Sequence, residues 1–338
     1  HTSIGAHPPS SGRHHTQADG DGELAALFSA CIISSRMRRG PLSPSAPPTP
    51  SSAAGTSKPL SLQKLIETSL ARRFPPHVAN SGDNVGLTIS TLRDVERGAA
   101  AVVMLCVDLT EQVMAEAING HANHIITYSP TPSSPLRILS ADDVTGRIAL
   151  RCAANSIAVH SIHSACANAP GGMTDWIARS LAPGAVTPIL PHGEVEGAGE
   201  GRMLEADRAL PLSALVLKLK ELLQVKHLRL ALGVSVDESN LSKAQECCFV
   251  KSVAIRAGEG ASVLQHAAAN VYIASEMAHA DVIAANARGV VVILTGQSTM
   301  ERAYLRSLRQ ELHDELSRSD WNVKVKCSEV DCNPLSIV

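Results

Sequence analysis

The stretch AAVVMLCVDLTEQVMAEAINGHANHIITY (residues 100–128) decides the fold class. Its first eight residues form a continuous apolar run, which is typical of a strand buried in a parallel sheet. LTEQVMAEAING then has the spacing of an amphipathic helix, and Gly120 is a usual residue just after a helix C-terminus. HIITY predicts a second strand. A strand, a helix and a strand in this order predict an α/β unit with parallel strands.

The same alternation continues on both sides of this stretch. Upstream, LSLQKLIETSLARRF places four apolar residues on one helical face, namely Leu62, Leu65, Ile66 and Leu70. Downstream, DDVTGRIALRCAANS and GGMTDWIARSLA predict helices on either side of the strand IAVHS. The sequence therefore predicts an α/β fold with mostly parallel sheets flanked by helices.

Residues 182–204 are rich in Gly and Pro and predict a boundary before a smaller unit. That unit has a predicted helix at LSALVLKLKELLQ and predicted strands at HLRLALGV and KSVAIRAG. VVVILTG returns to a buried-strand pattern, and STMERAYLRSLRQELHDELS predicts a long amphipathic helix. NVKVKCSEVD alternates in polarity and predicts a half-exposed final strand.

Composition excludes several function classes. The chain has 338 residues, which suggests two domains, and its hydrophobic fraction of 44% is ample for a buried core. The net charge of −2 and the aromatic fraction of 2% argue against a surface that binds phosphates or stacks bases, so no direct nucleic-acid binding is expected. No run of about 18 apolar residues occurs, so no membrane span is expected.

The N-terminal segment and the cysteines bear on localisation. Residues 1–58 are rich in Ser, Pro, Gly and Ala, which predicts a disordered low-complexity tail. Residues 37–58 contain no acidic residue and resemble a short mitochondrial transit peptide. The eight cysteines include no Cys-x-x-Cys pair, which favours reduced core thiols in an intracellular protein. The expected location is the cytoplasm, with mitochondria as the alternative.

Three polar loops follow predicted strands, namely YSPTP, SIHSACAN and GQSTMERA, and GDNVGL is expected at their rim. Ligands of parallel α/β sheets bind beyond the carboxyl ends of the strands. We therefore expect a ligand-binding cleft that is lined by Tyr128, Ser129, His163, Asn168, Gln297 and Glu301. Only His163 and Glu301 among these are strong ligands for divalent metals.

Two other chemistries are weaker alternatives. Cys166 with His163 would form a nucleophile and base, but the segment is predicted to be a loop and no orienting acid is visible. RAGEGAS (256–262) could cradle a phosphate with its backbone N–H groups. It lacks the Lys-Ser/Thr pair of a P-loop, so an ordinary strand-to-helix turn is favoured.

Several long blocks of the sequence resemble the eukaryotic branch of a known family, the NGG-one-interacting factor three-like (NIF-three-like) family. It is also known as the GTP cyclohydrolase I type 2 homologue family. The blocks include DNVGL (83–87), NSIAVHSIHSACANAPGGMTDWIARSL (155–181), VAIRAGEGASVL (253–264), GVVVILTGQSTMERAYL (289–305) and SEVDCNPL (328–335). The resemblance runs in order from about residue 60 to residue 338.

The resemblance implies a two-lobed α/β fold with a main lobe at 59–190 and 286–338 and an inserted lobe at 191–285. It also implies a homo-oligomer, two divalent metal ions in the cleft, and transcriptional co-regulator partners. The cytoplasm and mitochondria are the locations that it implies. The cyclohydrolase name implies a metal-dependent hydrolase.

The metal motifs of the family are largely substituted in this chain. A histidine of the first motif is replaced by Ser129, the aspartate of the second by Ala167, and the histidine of the third by Gln297. Glu301 is the only family ligand position that keeps its group, and a fourth motif keeps only His279 of its two histidines. The resemblance and these substitutions together predict that the chain holds no stable dinuclear metal centre.

Three functions follow in order of preference. The first is a binding or scaffold protein, of the co-regulator type, whose metal site is largely lost. The alternative is a metal-dependent hydrolase in which Glu301 and His163 help to activate water. The third is a protein that binds a phosphorylated small molecule at residues 258–262.

Overall fold

A computed structural model describes residues 61–233 and 248–336. The predicted tail, residues 1–58, lies outside these ranges. The stretch that decides the fold class forms β2 (Ala100–Cys106), α2 (Glu111–Asn119) and β3 (His124–Thr127), and the two strands are parallel. Thr110 begins the helix, because its hydroxyl accepts a hydrogen bond from the Val113 N–H at 3.2 Å. The predicted strand-helix-strand unit is therefore present.

The first sheet contains five strands in the order β1-β4-β3-β2-β11. All of its strand pairs are parallel except β1 with β4. The added strands are β1 (Gly86–Ile89), β4 (Ala158–Ser161) and β11 (Asn322–Cys327). The helices of this half are α1 (Leu62–Arg73), α3 (Val144–Ala154), α4 (His163–Asn168) and α5 (Met173–Leu181), with a 3-10 turn at Pro76–Val78.

The second sheet contains six strands in the order β5-β6-β8-β9-β10-β7. The pairs β8–β9 and β9–β10 are parallel and the other three pairs are antiparallel. Its strands are β5 (Gly184–Pro191), β6 (Gly199–Pro211), β7 (Arg229–Ala231), β8 (Phe249–Glu259), β9 (Val271–Glu276) and β10 (Val291–Leu294). The remaining helices are α6 (Leu212–Leu223), α7 (Ala261–Leu264), α8 (His279–Ala287) and α9 (Thr299–Leu316). The predicted α/β class with helices flanking the sheets is confirmed.

One apolar cluster contains residues of both sheets together with α1, α5, α6 and α9. Alternate residues of a strand point to opposite faces, so Val103 and Leu105 join this cluster while Met104 and Cys106 join another beneath α2 and α3. Ion pairs from Arg73 to Glu311 (2.6 Å) and Glu315 (2.9 Å) also join α1 to α9. The main core therefore depends on both ends of the described chain.

The Gly- and Pro-rich residues 182–204, where a boundary between units is predicted, contain β5 and the first part of β6. The glycines there permit close backbone packing. A Cβ atom on Gly184 would lie 2.1 Å from Glu205 O, and one on Gly199 would lie 2.3 Å from Leu190 O. The composition that suggests a linker instead allows two antiparallel strands to approach each other.

The loop predicted at SIHSACAN is wrong, since α4 begins at His163. The predicted lobe boundaries stay a prediction. They assign β10 to the main lobe, although its strand partners β9 and β7 belong to the second sheet. Within residues 61–233 and 248–336, no helix is long and apolar enough to cross a membrane.

Candidate functional site

A cavity of about 530 Å³ lies where strands of both sheets end. Most of its lining residues follow β2, β3, β4 and β10 or lie near the end of β8, as expected for α/β sheets that bind ligands beyond the carboxyl ends of their strands. The structure brings together five of the predicted cleft residues here, namely Tyr128, Ser129, His163, Gln297 and Glu301. Ala167 also lines the cavity.

Glu301 is held in the cavity wall by the turn between β10 and α9. This turn passes through the left-handed region at Gly296 (φ 83°) and at Ser298 (φ 58°), which is unusual for serine. The Glu301 side chain is buried, and its Oε2 atom has no hydrogen-bond partner among the described residues. Burial raises the pKa of Glu301 to about 7.

Asp108 follows β2 and provides a second carboxylate in the cavity. Its Oδ1 atom accepts the Ser129 hydroxyl at 2.7 Å, and its Oδ2 atom lies 3.7 Å from the Arg302 guanidinium. Sequence reasoning missed this residue. Its position directly after a buried strand, like that of Tyr128 after β3, was a usable signal.

His163 is oriented by Asp83, whose Oδ2 lies 2.7 Å from the histidine Nδ1. The Asp83 carboxylate also accepts hydrogen bonds from the hydroxyl and backbone N–H of Ser164. Burial alone would raise the pKa of Asp83, but these hydrogen bonds lower it, so the carboxylate stays ionised. With Nδ1 engaged, the other ring nitrogen of His163 is left for a ligand. An orienting acid is therefore present, contrary to the sequence-based expectation.

Tyr128 packs its ring edge against His163, with ring centroids 5.5 Å apart. Burial and the charge of Glu301 raise the pKa of its hydroxyl, while Arg256 acts in the opposite direction. The hydroxyl is therefore neutral at physiological pH. Tyr128 lies within electrostatic range of both charged groups.

Arg256, at the end of β8, is the cationic group of the cavity wall. One terminal nitrogen lies 2.9 Å from a Glu200 carboxylate oxygen, whereas Nε is buried and has no hydrogen-bond partner among the described residues. Arg256 is the first residue of RAGEGAS, but that motif was considered only for its backbone N–H groups, so the side chain was not predicted to face a cavity.

The glycine turn at residues 258–262 lines the same cavity but does not form a phosphate cradle. Three of its backbone N–H groups already donate to protein acceptors. These bonds are Gly258 to Ser275 Oγ (3.0 Å), Gly260 to Glu276 O (3.0 Å) and Ala261 to Glu259 Oε1 (3.2 Å). The Glu259 carboxylate in the turn would also repel a phosphate. The interpretation as an ordinary strand-to-helix turn fits these contacts better.

Two predicted residues lie away from the cavity lining. Asn168 is buried, and its amide donates to Val78 O (3.0 Å) and Asn80 Oδ1 (2.8 Å). His279 is exposed at the start of α8. Cys166 is fully buried, and burial raises the pKa of its thiol, so it does not serve as a nucleophile.

A buried ion pair supports the wall from behind. Arg202 has no exposed surface, and its Nε donates to Asp175 Oδ1 at 2.7 Å. The same guanidinium donates to the backbone carbonyls of Asn168 (2.9 Å) and Ala169 (3.1 Å) at the end of α4. Because α4 begins with His163, this network connects β6 to a residue of the cavity.

The family described as Duf34/NIF3 (NGG1p interacting factor 3) matches residues 62–334. The chain is a member of the Duf34/NIF3 family. It is 32% identical over 283 residues to "Protein NIF3 homolog" of Schizosaccharomyces pombe, with 81% of this chain and 96% of that protein covered. It is 29% identical over 290 residues to "NGG1-interacting factor 3" of Saccharomyces cerevisiae, with 82% and 96% covered.

A solved structure gives the same fold. The Bacillus cereus protein related to NIF3 superimposes with a TM-score of 0.65 at 19% sequence identity, and the match covers 83% of this chain and 100% of that chain. The resemblance stated from sequence is thereby confirmed for the family and the fold.

The residues of this Duf34/NIF3 member do not fit two divalent metal ions. Two cations carry a formal charge of about +4, which must be offset by anionic and imidazole ligands. The alanine at position 167 has no donor atom, and Ser129 donates its hydroxyl hydrogen to Asp108. Arg256 adds a positive charge to the wall. Within the described ranges, no three His, Cys, Asp or Glu side chains are grouped to hold a metal.

Proposed function

We propose that this Duf34/NIF3 member acts by binding, as a homo-oligomeric scaffold and partner of a transcriptional co-regulator. The observation that carries this proposal is the donor set of the cavity. Asp108 and Glu301 remain, but three family ligand positions carry Ser129, Ala167 and Gln297. A protein with this donor set does not use the metal-activated water of a hydrolase.

The names of relatives point to a protein partner. The Saccharomyces cerevisiae relative is named as a factor that interacts with NGG1. We extend this to the present chain as part of the proposal. Binding of a protein partner would not require metal ligands at positions 129, 167 and 297.

The alternative is a metal-dependent hydrolase of the GTP cyclohydrolase I type 2 homologue class. The contact between His163 and Asp83 favours it, because a carboxylate that holds one ring nitrogen orients the other as a base. The nucleophile would still have to come from a metal-bound water. The substitutions at 129, 167 and 297 remove ligands that would hold this metal. They count against the hydrolase more than the orientation of His163 counts for it.

A paired metal measurement tests the proposal. The protein is purified without chelator, and zinc, manganese and iron are measured by mass spectrometry. We expect far fewer than about two ions per chain. The variant Ser129→His/Ala167→Asp/Gln297→His should gain metal, because it restores imidazole and carboxylate donors.

The matched control replaces the same three residues by asparagine, which changes the cavity without adding strong ligands. It should remain as metal-poor as the unmodified protein. About two ions per chain in the unmodified protein would overturn the proposal.

The proposed homo-oligomer is tested by light scattering at micromolar concentration. We expect a mass that is a multiple of the 35.5 kDa chain. A monomer mass at this concentration would remove the scaffold part of the proposal.

A further inference from the structure

Two residues in the cavity wall each have a buried side-chain atom without a hydrogen-bond partner among the described residues; one atom belongs to a carboxyl group and the other to a guanidinium group. These atoms are Glu301 Oε2 and Arg256 Nε. The Glu301 side chain is only 4% exposed. Most buried polar atoms in native proteins are paired, because an unpaired one loses its hydration without compensation. A ligand that donates to one atom and accepts from the other would satisfy both.

The carboxylates and the guanidinium mark two ends of the site. Asp108 lies close enough to Glu301 to act on its ionisation, whereas Glu200 contacts Arg256 from outside the lining. Asp108 is itself exposed enough to contact a ligand, since 45% of its side chain is accessible. One end thus attracts a hydrogen-bond donor or cation, and the other attracts a carboxylate.

The other ligand classes fit less well. A divalent metal lacks strong donors at positions 129, 167 and 297, and a phosphate finds the N–H groups of the glycine turn already paired. A purely apolar ligand would leave the two buried atoms unsatisfied. The cavity of about 530 Å³ falls within the range of small-molecule sites.

We infer that the cavity binds a small zwitterion, whose ammonium group contacts Glu301 and Asp108 and whose carboxylate contacts Arg256. The inference rests on the proposed function, because it requires a cavity without metal. Tyr128 and His163 also line the cavity and supply further hydrogen-bonding atoms.

Thermal-shift and calorimetric titrations test this inference. The probes are the proteinogenic α-amino acids and the series glycine, β-alanine, γ-aminobutyrate and δ-aminovalerate. Each is added with chelator present. At about tenfold excess over Kd, a bound zwitterion should raise Tm by about 2–3 °C. Butylamine and butyrate, which each carry one of the two charged groups, should produce no comparable shift.

Two variants and a control locate the site. Glu301→Gln and Arg256→Gln should lose the ligand-induced shift, while Arg208→Gln, an exposed arginine outside the cavity, should keep it. Circular dichroism checks that each variant is folded. Glu301→Gln is a safe test of binding, since it removes a buried charge without changing the shape of the side chain.

The outcomes separate this inference from the proposed function. The zwitterion inference is wrong if no zwitterion binds in the presence or absence of chelator. It is also wrong if butylamine or butyrate raises Tm as much as the zwitterions do. Neither result affects the metal measurement that tests the proposed function. Retention of the shift in both variants would also overturn it. If binding appears only after a divalent metal is added, the metal-free function itself fails.

Discussion

Asp175 and Glu301 are two buried carboxyl groups with opposite surroundings. Asp175 accepts from the Arg202 guanidinium and from the Gly171 N–H, at 2.7 and 2.6 Å. Glu301 has an oxygen with no partner among the described residues, and burial raises its pKa to about 7. A buried charge that is fully paired fixes the backbone around it, whereas an unpaired one in a cavity wall is available to a ligand. The first is structural, and the second marks the site.

The largest expected effect comes from removing the paired group. Arg202→Met leaves the Asp175 carboxylate buried without its cation and frees the carbonyls that Arg202 contacts. We expect a loss of about 3–5 kcal/mol in the free energy of unfolding, measured by urea denaturation. The control Arg208→Met, at an exposed position, should change it by less than about 0.5 kcal/mol. If the two variants lowered the free energy of unfolding equally, the buried ion pair of Asp175 with Arg202 would not have the structural role described here.

Two buried histidines, each with a ring nitrogen that has no hydrogen-bond partner among the described residues, extend the comparison of paired and unpaired groups to low pH. His124 and His160 lie in the first sheet with ring centroids 6.0 Å apart, and burial lowers their pKa values to about 4 and about 3. Since an unfolded histidine has a pKa near 6.5, their stabilisation is present above that pH and is lost as pH falls below it. By pH 5 we expect a loss of about 2–4 kcal/mol, measured by denaturation across pH.

The variant His124→Asn/His160→Asn should flatten this pH dependence between about pH 6.5 and 5. His77→Asn, at an exposed site, should leave it unchanged. An unchanged slope in the double variant would show that other groups cause the acid sensitivity.

The smallest effect concerns Glu301 itself. Its folded pKa of about 7 exceeds the value of 4.5 expected for the exposed group. Its stabilisation is therefore present below about pH 4.5 and is lost as pH rises through 7. At pH 8, Glu301→Gln should stabilise the protein by about 2–3 kcal/mol, but at pH 4.5 it should change little. A destabilised Gln variant at pH 8 would show that the carboxylate has a partner.

The fold could be predicted from sequence where the spacing of apolar residues matches the period of a strand or a helix. The apolar strands on either side of α2 and the apolar face of α9 are local patterns. Residues only a few positions apart in sequence form each of them. The strands at residues 182–204 could not be predicted from composition, because Gly and Pro occur both in linkers and in closely packed antiparallel strands. Only the pairing of β5 with β6, which composition does not reveal, distinguishes the two.

The site was readable in part. Residues that follow strands, such as Tyr128 and His163, could be placed in a cleft because strand ends converge. The segment GDNVGL was expected at the rim of the cleft, but the contact of its Asp83 with His163 was not predicted. The side chain of Arg256 was not predicted to face the cleft either, since both roles depend on contacts with segments far along the chain. Whether Asn168 faces the cleft depended on the orientation of α4, which the sequence did not reveal.

The parallel pairing of β11 with β2 has a consequence for synthesis, because Asn322 pairs with Ala100. While the ribosome is still making the C-terminal segment, the edge of β2 that later binds β11 has no partner. A strand pairing between residues so far apart in sequence slows folding, and an open strand edge promotes association between nascent chains. The first sheet is therefore complete only after β11 has been synthesised, and until then β2 presents an open edge.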